Sequence, residues 1–261
     1  MKRRLQRIIR AAHLMYSPID PPSALGIYFH ALEPVDHPNF STMVKRLRAA
    51  GYRLTGDPGD YLTATDKVAW LSFDDNFKSW HSSLGTLEEL GIKATFYVNS
   101  LPFRGVAGQS ETTEYFDRIA HKGERLALSV NELLELAAAG HVIGAHTHTH
   151  RNLARLPRAA AMEEIGTNLN HLRQILGGPV EHFAVPFGLS RYMPRDLVPW
   201  CVENGISTIT YATPGMQYGP RDALLLQRTP WRFAESTDHN WDDLRVDGRA
   251  FVRMTGRSPV G

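Results

Sequence analysis

Short apolar runs alternate along the chain with longer segments in which apolar residues recur at helical spacing. The short runs predict buried strands at residues 24–29, 67–73, 93–99, 141–145, 183–185 and 207–211. Helical spacing predicts helices at residues 40–50, 79–90, 159–176 and 198–205, and a capping box at Ser129 and Glu132 starts another. Strands that alternate with helices in this way favour a parallel α/β fold. Residues 102–125 are polar and contain glycine, so we expect an irregular loop there.

The residues able to carry chemistry follow two of these strands. Asp74 and Asp75 end the second strand, and the fourth leads directly into His146-Thr147-His148-Thr149-His150. In α/β barrels the carboxyl ends of the strands carry the active site. We therefore expect the two aspartates and the histidine run to lie close together.

One carboxylate and two imidazoles form a three-ligand metal site with open positions, which is the arrangement that activates water. His146 and His150 share a face whether the chain is helical or extended, whereas His148 joins them only in an extended chain. Mixed nitrogen and oxygen donors favour zinc or a neighbouring transition metal over calcium or magnesium. The remaining carboxylate could accept the proton of the water.

Composition narrows the classes of function only slightly. The chain has 261 residues, 43% hydrophobic and 21% charged, with a formal net charge of +2. These are values of a globular protein, and they give no signature of nucleic-acid binding. Cys201 is the single cysteine, so no intramolecular disulfide is possible and no oxidising compartment is required.

Residues 1–16 predict a basic amphipathic helix. Its basic residues are Lys2, Arg3, Arg4, Arg7 and Arg10, and its apolar face holds Leu5, Ile8, Ile9 and Ala12. Such a helix either lies on an anionic membrane surface or docks on its own domain. Arg10 and His13 interrupt the apolar run, so we expect no secretory signal. The protein is thus expected to be cytoplasmic, and peripheral at the inner membrane face if the helix binds lipid.

Four motifs together resemble the polysaccharide deacetylases, the NodB homology group of carbohydrate esterase family four. Ser72-Phe73-Asp74-Asp75-Asn76 is similar to the family's Thr-Phe-Asp-Asp-Gly, and residues 140–153 are similar to its His-[Ser/Thr]-x-x-His motif with flanks. Residues 94–98 and 183–188 also fit, so the likeness spans residues 25–209. It implies an α/β fold, a distorted (β/α) barrel of about seven parallel strands. The catalytic domain would occupy residues 17–230, followed by a polar, partly ordered tail at residues 231–261.

The resemblance also implies roles for individual residues. Asp75, His146 and His150 would bind the metal, and Asp74 would be the general base. The backbone N–H of Phe187, which follows Pro186, would hold the oxyanion with the metal. His148 would be a spacer between the ligands.

The chain departs from the common family pattern at two catalytic positions. Ala184 stands where an arginine often orients the base, and residues 224–228 lack the late histidine that usually supplies the acid. In one branch of the family the general acid comes from an N-terminal motif instead. Gly26-Ile27-Tyr28-Phe29-His30 resembles that motif. His30 is therefore the expected general acid, with His239 as the alternative.

The sequence also raises questions about the backbone at position 76 and the role of the tryptophan at position 231. Asn76 replaces a family glycine that often adopts a positive φ, which asparagine tolerates better than most residues. Trp231 could either stack on a sugar ring or pack in the core.

The expected function is that of a metal-dependent hydrolase that removes the N-acetyl group from an amino sugar and releases acetate. The amino sugar would belong to a polysaccharide or to a glycoconjugate, and the glycoconjugate could be linked to a lipid. The alternatives are a deformylase of a lipid-linked formamido sugar and a non-catalytic glycan-binding member of the family. One divalent metal ion is expected, zinc first and cobalt, nickel or manganese as alternatives. The expected partner is the N-acylated amino-sugar substrate rather than nucleic acid, and the oligomeric state is left open.

Overall fold

A computed structural model describes residues 14, 17–213, 217 and 221–247. These residues build a nine-stranded sheet in which every strand pairing is parallel. The strands are β1 (Ala24–Phe29), β2 (Arg53–Thr55), β3 (Val68–Asp75), β4 (Thr95–Val98), β5 (Val142–Ala145), β6 (His182–Ala184), β7 (Thr208–Tyr211), β8 (Leu226–Gln227) and β9 (Thr229–Pro230). The helices are α1 (His37–Ala49), α2 (Pro58–Thr63), α3 (Lys78–Ser82), α4 (Leu84–Glu89), α5 (Gln109–Arg118), α6 (Val130–Ala138), α7 (Arg158–Leu176), α8 (Leu197–Glu203) and α9 (Thr237–Arg245).

The sheet curls until its two end strands are neighbours in the chain. The strand order is β8-β7-β6-β5-β4-β3-β1-β9, with β2 beside β3. β8 pairs with β7 and β9 pairs with β1, and a single residue, Arg228, separates β8 from β9. The chain thus closes the ring through Arg228, which confirms the predicted distorted (β/α) barrel.

The two faces of the strands bury different clusters. All eight residues of β3 are buried, as expected for a parallel strand covered on both sides. Trp70 and Tyr97 belong to a small cluster with residues from β6 and β8, which fills the inside of the ring. Phe73 and Phe96 stack at 5.0 Å in the larger cluster beneath the helices. This division fixes which β3 side chains reach the inside of the barrel.

The six predicted strands are confirmed, and the predicted helices are confirmed with one change. The helix predicted at residues 79–90 is divided at Ser83, whose hydroxyl donates to the carbonyl of Leu32 at 2.8 Å. Ser129 caps α6 in a capping box with Glu132, as predicted.

Two regions were predicted wrongly or incompletely. The irregular loop expected within residues 102–125 contains α5, in which only Tyr115 and Phe116 are buried, so no apolar stripe marks the helix. The polar tail contains α9, capped by Ser236 and in contact with α1 and β9. The short elements β2 and α2 also lack a clear periodic signal.

The predicted N-terminal helix at residues 1–16 lies outside the described residues except for Leu14, and so do residues 248–261. The division into helix, catalytic domain and tail therefore stays a prediction. Within the described part of the chain, no helix combines the length and hydropathy of a membrane span.

The barrel seam gives a first testable prediction. The amide of Gly26 donates to Gln217 Oε1 at 2.5 Å, and a Cβ at Gly26 would lie 2.6 Å from the carbonyl oxygen of Gln227 and 3.1 Å from Arg228 Cγ. Gly26→Ala should therefore reduce the free energy of unfolding by about 1–3 kcal/mol, because the added methyl group displaces main chain at the seam.

The matched control is Gly85→Ala in α4, where a Cβ meets nothing within 4 Å. It should increase the free energy of unfolding by about 0.5–1 kcal/mol, because alanine favours the helix. Urea unfolding measures both values. Equal stabilities for the two variants would contradict the close contact at the seam.

Candidate active site

The predicted metal ligands converge at the carboxyl ends of β3 and β5. His146 Nε2 lies 3.6 Å and His150 Nε2 lies 3.3 Å from Asp75 Oδ1. One ligand atom from each of the three residues lies within 4.8 Å of the others, and all three side chains are buried. The residues far apart in sequence therefore form one compact set of donors.

Backbone conformation brings these side chains together. Asp75, Thr147, His150 and Phe187 have φ values of 87°, 69°, 59° and 63°. Among the described non-glycine residues, only Ala120 shares this left-handed conformation. L-residues rarely adopt it, and it clusters at functional sites where the surroundings enforce it.

The expectation of a positive φ at Asn76 is wrong, because the left-handed turn occurs one residue earlier, at Asp75. Asn76 instead uses its buried amide to join two loops. Its Nδ2 donates to the carbonyl of Asn99 at 2.9 Å, and its Oδ1 accepts from the amide of Leu128 at 2.9 Å. Glycine could make neither bond, so asparagine here has a structural role.

Polar side chains hold residues 146–150, which we call the histidine loop, in place. Glu164, on α7, accepts from the amide and the hydroxyl of Thr149 at 2.9 and 2.5 Å. Asn168, one helical turn later, accepts from the amide of His146 at 2.9 Å. Asn99 Nδ2 donates to the carbonyl of His146. These bonds satisfy the buried backbone of a segment that makes no regular ladder.

The protonation states of the donors suit a cation. His146 Nδ1 lies 2.7 Å from the carbonyl of Ala184, which can only accept, so Nδ1 carries a proton and Nε2 is the atom that faces Asp75. Burial lowers the pKa of His146, but the hydrogen bond with Asp75 outweighs it and raises the pKa, so a cation bound at Nε2 would displace a proton there. Burial, reinforced by His146, lowers the pKa of His150 to about 4 and keeps its imidazole neutral. Burial raises the pKa of Asp75, but the adjacent imidazoles outweigh this and bring it below the usual range. A deprotonated carboxylate and a neutral imidazole are the forms that bind metal.

The second aspartate makes a bidentate pair with the residue that closes the barrel. Arg228 Nη1 and Nη2 donate to the two oxygens of Asp74 at 2.7 and 2.8 Å. Arg228 is completely buried, and Nη1 also donates to Ser72 Oγ at 2.9 Å. Its guanidinium carbon lies 4.8 Å from the ring of Tyr28. Burial lowers the pKa of Arg228, but the Asp74 carboxylate prevails and raises it.

The structure brings His30, and not His239, to the site. His30 Nε2 lies 4.0 Å from Asp75 Oδ2, and its side chain is 56% exposed. Trp80 Nε1 donates to the His30 carbonyl at 2.7 Å and so fixes the end of β1. His239 lies on α9, 3.7 Å from the carboxylate of Asp243.

A cavity of about 210 Å³ opens between these side chains. Its lining residues are Tyr28, His30, Asp74, Asp75, Ile119, His146, His150, Phe187, Gly188 and Ala212. Phe187 is 46% exposed, and its backbone N–H is bonded to no acceptor among the described residues, so it is available to a ligand. Pro186 precedes it and is buried.

His148 faces away from this cavity, in agreement with a spacer role. Its Nδ1 lies 2.9 Å from Ser100 Oγ, and its ring contacts His171 at 5.3 Å. Both histidines line a larger cavity of about 410 Å³ with mostly apolar walls. Glu111 also lines that cavity, but among the described residues only Asp75, His146 and His150 bring three such donor atoms within 4.8 Å of one another, so we assign the chemistry to the smaller cavity.

Comparison with known proteins places the site in a family. A sequence profile described as Polysaccharide deacetylase matches residues 62–198, more than half of the chain. The chain belongs to the polysaccharide deacetylase family. The protein is thus a carbohydrate deacetylase, and the matched region contains both aspartates and the histidine run. No curated protein matches the chain significantly.

Solved structures share the fold of this deacetylase at low sequence identity. IcaB from Ammonifex degensii has a TM-score of 0.65 and 20% identity, covering 86% of this chain and 97% of that one. The Streptococcus pyogenes deacetylase PplD, in complex with acetate, has a TM-score of 0.62 and 18% identity, covering 84% and 96%. A de-N-acetylase from Aggregatibacter actinomycetemcomitans has a TM-score of 0.62 and 11% identity, covering 82% and 97%. These likenesses support the barrel fold.

Sequence reasoning missed the arginine of the deacetylase site. Ala184 lacks the guanidinium that is common at that position, but Arg228 contacts Asp74 from the barrel seam. The signal was a charged residue directly after Leu224-Leu225-Leu226-Gln227, because a charge within a buried apolar strand needs a partner. Asp74 therefore has an arginine partner although position 184 does not supply one.

Trp231 does not take the predicted substrate-binding position. Its side chain is 3% exposed and belongs to the main hydrophobic cluster. The residue does not line the cavity, because its amide donates to the carbonyl of Tyr28 at 3.0 Å and keeps the chain in the wall of the barrel. An indole buried in this way offers no face to a sugar ring.

The Arg228–Asp74 pair gives a second prediction. Arg228→Gln should reduce the free energy of unfolding by about 3–5 kcal/mol, because it leaves a buried carboxylate unpaired. Asp74→Asn/Arg228→Gln should lose less than the sum of the single variants, because the two residues are in direct contact. Urea unfolding of the four proteins in the cycle measures the coupling.

Arg53→Gln is the matched control, because Arg53 forms an exposed pair with Asp60 at 2.5 Å. It should change stability little. If the losses in unfolding free energy from Asp74→Asn and Arg228→Gln simply add, the two side chains do not stabilise each other.

Proposed function

We propose that this deacetylase removes the N-acetyl group from an amino sugar in a polysaccharide or glycoconjugate, using one divalent metal ion. The observation that carries the proposal is that Asp74 and the donor set of Asp75, His146 and His150 line the same 210 Å³ cavity. A base beside an open metal site is the arrangement required for hydrolysis of an unactivated amide.

The donor atoms would be one oxygen of Asp75 and the Nε2 atoms of His146 and His150. Zinc suits this set best, and cobalt, nickel or manganese would accept the same donors. When bound, the ion would polarise the acyl carbonyl and lower the pKa of a water molecule toward about 7. Because three protein donors leave coordination positions open, the set fits a catalytic rather than a structural metal.

Asp74 acts as the general base in this proposal. Arg228 bonds each of its oxygens once, and a carboxylate oxygen has a further lone pair that can accept the proton of the attacking water. The bidentate contact also fixes the plane of the carboxylate toward the cavity. Asp74 therefore needs no reorganisation before it accepts the proton.

The backbone N–H of Phe187 would stabilise the negative charge that develops on the acyl oxygen. The donor is unbonded among the described residues, and Phe187 lies in the cavity wall with its ring 4.7 Å from that of His150. A fixed donor at this position stabilises the transition state more than the ground state.

His30 would donate a proton to the leaving amine. It lines the cavity beside Asp75, and its exposed side chain can regain a proton from solvent after each turnover. Without that proton the amine is a poor leaving group. The products would be acetate and a free amino sugar.

Metal content gives a third prediction. Asp75→Ala and His146→Ala should lose bound zinc, because each removes one of three protein ligands. Asp74→Asn should bind zinc, because it removes none of the three ligands, and yet release acetate about 10²–10⁴ times more slowly, because the base is lost. Plasma emission spectroscopy and an acetate assay with N-acetylated chitooligosaccharides, with and without chelator, measure the two properties.

His148→Ala is the control, since His148 points away from the cluster. It should keep its zinc. A fully active Asp74→Asn protein would show that Asp74 is not the base. Zinc binding without hydrolysis of any acylated amino sugar would favour a non-catalytic glycan-binding protein.

The general acid gives a fourth prediction. His30→Ala should reduce kcat about 10²–10⁴-fold, because no other described histidine outside the metal ligands lines the cavity. His239→Ala should retain kcat within about twofold, because a side chain outside the cavity cannot reach the leaving amine. A loss of kcat in His239→Ala but not in His30→Ala would assign the general acid to His239 on α9.

A further inference from the structure

Four exposed arginines lie on or next to the two turns that follow the metal-binding strand and its neighbour. Arg151 and Arg155 follow β5, and Arg191 and Arg195 follow β6. The turn at Leu153–Arg155 lies against the turn at Ser190–Tyr192. We call these four residues the arginine cluster.

The members of the cluster lack the partners that other arginines have. Every other arginine of the described residues bonds a carboxylate or a main-chain carbonyl. Within the described ranges, Arg151, Arg155 and Arg195 bond neither, and Arg191 reaches only its neighbour, Tyr192, at 3.3 Å. The nearby Asp196 is already paired with Arg158 at 3.0 Å.

The cluster adjoins the catalytic cavity. Arg151 directly follows His150, a proposed metal ligand. The ring of Phe187 lies 4.7 Å from the ring of His150 and 5.8 Å from that of Tyr192. The Arg191 guanidinium lies 5.1 Å from the Tyr192 ring. A ligand that fills the cavity and extends past Phe187 therefore meets the cluster next.

A third cavity begins at the same turn. Its volume is about 350 Å³, and Arg191 and Arg195 line it with Met193, Val198 and Leu225 among others. None of its lining residues is acidic. Its positive charge is local, because the whole chain has a formal net charge of only +2.

We propose that the arginine cluster binds an anionic group, phosphate or carboxylate, which the substrate carries next to its N-acylated sugar. Guanidinium groups bind both anions in bidentate geometry, and an anion would relieve the repulsion among four unpaired cations. The proposal rests on the proposed function, since it concerns the substrate of the same site. The deacetylase would thus prefer an acidic glycan or a sugar phosphate to a neutral chain.

Three soluble probes distinguish a phosphate from a carboxylate and both from a neutral sugar. They are N-acetylglucosamine 1-phosphate, N-acetylglucosamine linked to glucuronic acid, and the neutral methyl glycoside of N-acetylglucosamine. We expect kcat/KM to be at least about tenfold higher for one or both anionic probes, because a charge-assisted contact is worth about that factor. The preferred anionic probe identifies the anion as phosphate or carboxylate.

Variants test whether the cluster causes the preference. Arg191→Gln/Arg195→Gln should lower the ratio of anionic to neutral kcat/KM about tenfold or more, and the Arg→Lys double variant should recover part of it. Lys45→Gln, on the exposed side of α1, removes a distant positive charge and should leave the ratio unchanged. The preference should also weaken between low and high salt, because exposed charges are screened.

Binding gives a readout that does not require turnover. Calorimetry with the Asp74→Asn protein should show tighter binding of the preferred anionic probe than of the neutral one, and the double glutamine change should remove the difference. Equal kcat/KM for charged and neutral probes would overturn the inference and leave the proposed function intact. If no probe is hydrolysed, the proposed function fails, and calorimetry still decides whether the cluster binds the anion.

Discussion

The buried ion pair between Arg228 and Asp74 joins the closure of the barrel to its chemistry. Arg228 is the one residue between β8 and β9, so its backbone closes the ring while its side chain enters the inside and meets Asp74, the proposed base. Removal of a guanidinium and a carboxylate from water costs several kcal/mol per ion, and only bidentate geometry with further hydrogen bonds offsets it. Ser72 and the aromatic rings of Tyr28 and Tyr97 supply those further contacts.

The same constraint explains the absence of a side chain at Gly26. The aliphatic part of Arg228 and the carbonyl of Gln227 occupy the space where a Cβ would lie. Gln217 then crosses the seam, because its Oε1 accepts from Gly26 and its Nε2 donates to Thr229 Oγ1 at 2.5 Å. One residue, Arg228, thus takes part both in closing the barrel and in holding the carboxylate of Asp74.

Backbone strain is the second requirement of the site. Asp75, Thr147, His150 and Phe187 each adopt a left-handed conformation that costs on the order of 1–3 kcal/mol. Such conformations persist only where the surroundings determine them, and here Asn99, Glu164 and Asn168 bond the histidine loop. The helices and strands around the loop therefore stabilise a geometry that the local sequence alone would not adopt.

The sequence predicted what depends on local pattern and on motif spacing. The strands before Asp74 and His146 follow from apolar runs, and the convergence of Asp75, His146 and His150 follows from strand ends that meet at one edge. It could not predict Arg228, because a guanidinium 154 residues from Asp74 in the chain is placed only by ring closure. It also missed α5 and α9, whose sequences are polar and whose few buried residues give no periodic signal.

The proposed chemistry requires three protein atoms to share one cation in the cavity that Asp74 lines. Diffraction from zinc-soaked crystals, recorded on both sides of the zinc absorption edge, locates such a cation. We expect one anomalous peak about 2.0–2.2 Å from Asp75 Oδ1, His146 Nε2 and His150 Nε2. A peak elsewhere, such as between His148 and His171, with none at these atoms, would show that the three residues are not the metal ligands.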